Sequence, residues 1–295
     1  MKSRYKGIVF IVCSAFCFAL MNLFVRLSGD LPSVQKSFFR NLVAFFFALI
    51  LMKRDHVGFS GKKENLWPLF LRSAFGTVGI LCDFYAVDHL VLADASMLNK
   101  MSPFFAILFS FLILKEKVKP VQAVIGAGAF AGSLFIIKPS PLNMELVPAV
   151  IGRLGGMSAG AAYTFMRSLG IRGEKGPFIV CFFSGFSCLA TLPYLLVRFH
   201  GMTLEQLGYL LLAGLAAAGG QFAITAAYCH APAREISVYD YPQIIFSAVL
   251  GFVIFGQVPD RFSVLGYVII CEMAVVMILY NNRGPQNEGG NGSRT

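Results

Sequence analysis

Four ionisable side chains lie deep inside apolar sequence. Arg40 sits in FFRNLVAFFFALIL, Asp83 in GILCDFYAV, Lys100 in SMLNKMSPFF and Arg153 in AVIGRLGGMS. Where such a stretch crosses a bilayer, a charge near its centre costs roughly 2.5–3.5 kcal/mol, so each must face a partner, a wet cavity or the protein interior. Three cations against one carboxylate leave positive charge over, which an anionic substrate neutralises through charge-assisted hydrogen bonds. The competing reading pairs Asp83 with one cation and leaves the others on backbone carbonyls or lipid headgroups.

A second group lies in the later half. Tyr239, Asp240 and Gln243 follow at i, i+1 and i+4, so Tyr239 and Gln243 share a helix face. Pro242 interrupts the helix ladder beside them, and carbonyls freed at such a break are the kind of backbone found at transport sites. Asp240 is either a carboxyl that exchanges a proton as substrate binds or a structural group that caps its helix or pairs with Arg234. With Asp83 it forms the candidate coupling pair. Asn22, Tyr163, Gln221 and Tyr228 add uncharged hydrogen-bonding groups, equally able to line a site or to tie helices together. Glu272, in the middle of the last apolar segment, suits a dimer contact, a pairing with Arg72 or a coupling role. No HExxH, Walker glycine loop or nucleophile elbow occurs, so no enzyme activity, cofactor or metal is expected. Seven cysteines fall in apolar stretches without zinc-site spacing and read as packing residues.

The elements that must position these groups are membrane spans. With 57% hydrophobic and only 14% charged residues, the chain cannot present a mostly charged surface to water. Apolar stretches of about 20 residues, the length that crosses a bilayer, recur to Tyr280. They predict ten helices near 7–27, 33–52, 66–88, 92–114, 120–138, 146–168, 177–198, 206–229, 235–256 and 262–280. Counted at about 1.5 Å per residue, Arg40, Lys100 and Arg153 share one depth, near 10–12 Å below the outer rim. The net charge of +10 is dispersed among short connections, which excludes a nucleic-acid patch. Its bias predicts both termini in the cytoplasm, with Arg26, Arg167 and Lys115 snorkelling from helix ends. Glycine clusters at 126/128/132, 152/155/156/160 and 214/219/220 read as close helix contacts.

Residues 79–116 align with 220–257 at a constant offset of 141, with Gly79/Gly220, Ala86/Ala227, His89/His230, Ser96/Ser237, Phe105/Phe246, Phe111/Phe252 and Ile113/Ile254 identical. The same offset pairs Arg26 with Arg167 and Asn99 with Asp240. It spans five segments, an odd number, so the second copy is expected upside down in the membrane. The expected fold is all-α integral membrane, ten transmembrane helices as two inverted five-helix repeats, residues 1–140 and 141–282, followed by a polar, disordered tail over 283–295. The matched histidines fall at opposite faces and read as interfacial residues.

This pattern, the FFRNLVAFFFALIL segment and ADASMLNKMSPFFAILFSFLILKEKVKPVQAVIGAGAFAGSLFI together resemble the EamA branch of the drug/metabolite transporter superfamily. The second half carries a weaker copy, with Gln257 where the first has Glu116. The resemblance implies a secondary transporter that moves a small polar metabolite by alternating access. The buried cations point to a carboxylate-bearing or zwitterionic solute, such as an amino acid or organic acid. The expected substrate-binding residues are Asn22, Arg40, Asn99, Lys100, Arg153, Tyr163, Gln221, Tyr239 and Gln243; the expected partners are the substrate, the lipid bilayer and coupling protons. A multidrug or cationic-metabolite exporter is the main alternative, with an intramembrane lipid enzyme or a channel behind it. The expected location is a bacterial inner membrane, as monomer or homodimer.

Overall fold

The computed structural model describes residues 2–58, 63–115, 120–137, 146–230 and 237–283. No strand occurs among them. In chain order the helices are α1 (Lys2–Leu27), α2 (Ser33–Arg54), α3 (Leu66–His89), α4 (Leu92–Asn99), α5 (Ser102–Leu114), α6 (Pro120–Ile137), α7 (Leu146–Ile171), α8 (Gly176–Arg198), α9 (Leu204–His230), α10 (Pro242–Phe255) and α11 (Arg261–Arg283), with 3-10 turns at Lys63–Asn65 and Ser237–Asp240. Among the described residues, six stretches are long and apolar enough to cross a bilayer: Gly7–Leu27, Ser33–Arg54, Lys63–His89, Leu92–Leu114, Gly176–Arg198 and Leu204–Cys229. The expected tail, beyond Arg283, lies outside the described residues, as does the side chain of His230.

Two expected spans are broken. The 92–114 span divides at Lys100 and Met101 into α4 and α5, because Pro103 has no N–H and its ring crowds the carbonyl four residues back, that of Asn99. Met101 N–H turns instead to Leu98 O at 3.2 Å, a 3-10 contact. The 235–256 span likewise begins with the 3-10 turn and becomes α-helical only at Pro242, 141 positions after Met101. Both broken helices end in the left-handed region, α5 at Lys115 (φ 55°) and α10 at Gly256 (φ 62°).

The widest helix contacts are α3 with α7 and α1 with α9; α2 packs on α8, α6 on α11, α5 on α7 and α1 on α10. Glycine makes the closest approaches possible. A Cβ on Gly79 of α3 would come within 3.3–3.4 Å of Ala159 N and Gly155 O on α7. On Gly220 of α9 it would meet the Phe18 ring of α1 at 2.9 Å, where Ser14 Oγ also donates to Gly220 O at 2.9 Å.

Arg26 and Arg167 do more than snorkel. Arg26 donates to Val87 O at 3.0 Å and to Leu90 O at the end of α3, and Arg167 donates to Tyr228 O at 3.5 Å at the end of α9. The last carbonyls of a helix have no intrahelical partner and carry its negative dipole end, so a guanidinium there is doubly suited. At one end of the bundle Gln35 and His200 exchange two hydrogen bonds (2.9 and 3.0 Å) and buried Lys36 pairs with Asp88 at 2.6 Å. At the other end, Asn65 Nδ2 donates to Glu174 Oε1 at 2.8 Å.

Candidate substrate site

A partly open cavity of about 60 Å³ lies where α1–α4 meet α7–α10, room for a handful of water molecules. One face of α3 supplies Arg72, Gly76, Gly79, Ile80 and Asp83 to its wall; Arg40 enters from α2, Asn99 from the end of α4, Tyr163 from α7, Phe183 from α8, Gln221 from α9 and Gln243 from the start of α10.

Arg40 and Arg72 are 1% and 2% exposed, and no carboxylate neutralises either within salt-bridge distance among the described residues. Both guanidinium carbons lie over the Phe183 ring, Arg72 at 3.7 Å and Arg40 at 5.8 Å from its centroid. The ring's negative face holds both cations in place while leaving N–H groups spare. Arg40 Nη1 donates to Asn41 Oδ1, whereas Arg40 Nε, Arg72 Nε and Arg72 Nη1 have no hydrogen-bond partner among the described residues. Gly76 makes this possible, since a Cβ there would sit 2.5 Å from Arg72 Nη1 and 2.8 Å from the Phe183 ring.

Asp83, further along α3, accepts from Asn99 Nδ2 at 3.0 Å. Gln243, 3% exposed, leaves Oε1 without a partner. Gln221 reaches Thr225 Oγ1 at 3.3 Å, and Tyr163 stacks on Tyr228 with centroids 4.9 Å apart. The remaining sequence candidates stand off this lining. Lys100 and Asp240 form a buried ion pair with each other, Asp240 keeping Oδ1 free. Tyr241 OH adds a bond to Lys100 O at 3.1 Å and Ser96 Oγ one to Ser247 Oγ at 2.7 Å, so the two broken helices are tied across their breaks. Arg153 turns toward α6, with its guanidinium 3.4 Å from the Phe130 centroid. Asn22 is buried next to lining residue Met21, with Oδ1 unpartnered. Tyr239 packs beside Ile11, Met166 and Tyr228. Glu272 is exposed on α11. Arg72 is the cavity-lining cation that depth counting missed; its signal was the spacing 72, 76, 79/80, 83, one α-helical face carrying an arginine, two glycines and an acid.

Residues 5–138 match the model of the EamA-like transporter family. The pseudopaline exporter CntI of Pseudomonas aeruginosa is 32% identical over 92% of this chain and 95% of its own length. The chain belongs to the EamA-like transporter family. Solute carrier family 35 member G1 of Homo sapiens is 26% identical over 91% of the chain and 77% of that protein. A solved structure described as "Crystal structure of protein" shares the fold with TM-score 0.69 and 14% identity, covering 94% of this chain and 98% of the other. This EamA-like protein is therefore a multi-pass membrane transporter of metabolites rather than an enzyme.

Proposed function

We propose that the chain is a secondary active transporter that carries a carboxylate-bearing or zwitterionic metabolite through the Arg40–Arg72 cavity by alternating access. One observation carries this reading: two buried guanidiniums with spare N–H groups face one cavity that holds a single acid, Asp83. A carboxylate supplies the acceptors those donors lack, in bidentate geometry suited to arginine. The cavity is smaller than a metabolite, so loading requires helices to part, as alternating access provides.

Residues 1–140 and 141–282 act as the two inverted halves. Repeated contacts support this: Arg26 to Val87 O and Arg167 to Tyr228 O are 141 positions apart at both ends, as are the helix ends at Lys115 and Gly256 and the crossings at Gly79 and Gly220. The pairs α3–α7 and α1–α9 exchange under the same shift, as do α5–α7 and α1–α10. Asp83, the carboxylate on the cavity wall, is the proton-coupling candidate, while Asp240 is engaged by Lys100. The loop charge bias supports cytoplasmic termini, short connections suit a bacterial inner membrane, and the name of the Pseudomonas relative favours export.

The test is thermal unfolding of the detergent-purified protein against amino acids, di- and tricarboxylates, nucleobases and organic cations. A ligand that binds only the folded state stabilises it by about 2.7 kcal/mol at 100 times its Kd. Protection by carboxylates that is lost in Arg40→Ala and Arg72→Ala but kept in Arg153→Ala is expected. Protection by organic cations alone overturns the anionic site.

A further inference from the structure

The charges on the cavity wall are sorted by sign along α3. Arg72 is folded back beside Gly76, as the 2.5 Å approach of a Gly76 Cβ to its Nη1 shows, and Arg40 joins it across the Phe183 ring. From the level of Gly76 to Asp83 is seven residues of helix, about 10 Å at about 1.5 Å per residue. There Asp83 and Asn99 form the opposite pole, and the unpartnered Oε1 of Gln243 adds an acceptor to the same lining. Lys100 and Asp240 form their own ion pair and add no net charge, although Lys100 also attracts Asp83, and Arg153 lies on Phe130. Two guanidiniums and one carboxylate leave a local charge of plus one.

The complement of such a site has two carboxylates and one ammonium. The two poles stand about two turns of α3 apart, so a short carbon chain joins an ammonium at one to a carboxylate at the other. We propose that the transported solute is an amino dicarboxylate, its carboxylates on Arg40 and Arg72 and its ammonium on Asp83. The assignment rests on the anionic cavity proposed above and adds the second carboxylate and the amine.

Three probes on one carbon skeleton separate the two ideas. L-glutamate has both carboxylates and the ammonium, glutarate lacks the ammonium, and L-glutamine lacks the second carboxylate. In thermal unfolding of the full-length protein, glutamate is expected to give half-maximal protection at a concentration at least ten times lower than either analogue. Asp83→Asn should erase the preference over glutarate, and Arg72→Gln the preference over glutamine. The wild-type series decides the question even if a variant fails to fold. Glutarate or glutamine protecting as well as glutamate overturns the amino-dicarboxylate assignment and leaves the anionic site standing. Protection by none of the three, with other carboxylates active, does the same; protection by organic cations alone removes both.

Discussion

Replacing Asp240 by Asn leaves the ammonium of Lys100 in place without its carboxylate. Both side chains are 2% exposed, so water cannot take over that role unless the helices part. Removing one member of a buried ion pair costs about 3–5 kcal/mol, because the surviving charge keeps its desolvation penalty and loses its attraction. For a chain of this length, with roughly 2 °C of midpoint per kcal/mol, the variant should unfold about 6–10 °C below wild type. Lys100→Ala should cost at least as much, since it leaves the Asp240 carboxylate buried without its cation and opens a cavity where the lysine stem packed. The double variant Lys100→Met with Asp240→Leu removes both charges at similar volume and should recover to within about 2 °C of wild type, since Coulomb attraction and desolvation roughly cancel in the intact pair. The bonds from Tyr241 OH to Lys100 O and from Ser96 to Ser247 survive in it and keep the two breaks together. The assay is thermal unfolding in one detergent at one scan rate, so that irreversibility affects every variant alike. A shift below about 2 °C for Asp240→Asn, or a double variant as damaged as the sum of the singles, would refute the buried pair.

Gly76→Ala places a methyl against Arg72 and Phe183; dislodging that cation–π contact, worth about 1–2 kcal/mol, should weaken substrate protection about 5–30-fold in ligand titrations. Gly160→Ala drives a Cβ to 2.7 Å from Ser102 O and 2.9 Å from Ala106 N, rigid backbone of the break and of α5, and should cost about 1–3 kcal/mol. Gly208→Ala, with nothing within 4 Å, is its control and should leave stability unchanged or raise it by up to about 1 kcal/mol. Arg26→Ala uncaps α3 at Val87 and Leu90 and should cost about 1–2 kcal/mol without changing the order of ligand preference in the same titrations.

Position along each apolar segment could be counted from the sequence, and direction around each helix could not. Counting residues from the segment ends put Arg40, Lys100 and Arg153 at one level, and nothing in the count says which way each points. In water an amphipathic stripe reports that azimuth, but a membrane helix is apolar on its lipid face and its protein face alike. Arg40 thus faces the cavity while Arg153, at a matching count along its segment, lies on Phe130. What does report azimuth is small-residue spacing, since glycine is placed where another backbone or a large side chain must approach. Gly76 and Gly79 mark the inward face of α3, and the charged residues in phase with them, Arg72 and Asp83, are the two that reach the cavity from that helix. The break at Lys100 was legible in Pro103, yet its consequence was not. The ion pair that closes it comes from Asp240, 140 residues away, and only the packing of α4 against α10 brings the two together. Glycine phase alone does not choose between the arginines, since Arg153 stands three and seven residues before Gly156 and Gly160 and still lies on Phe130. The Arg72→Ala and Arg153→Ala titrations test which of the two the substrate meets.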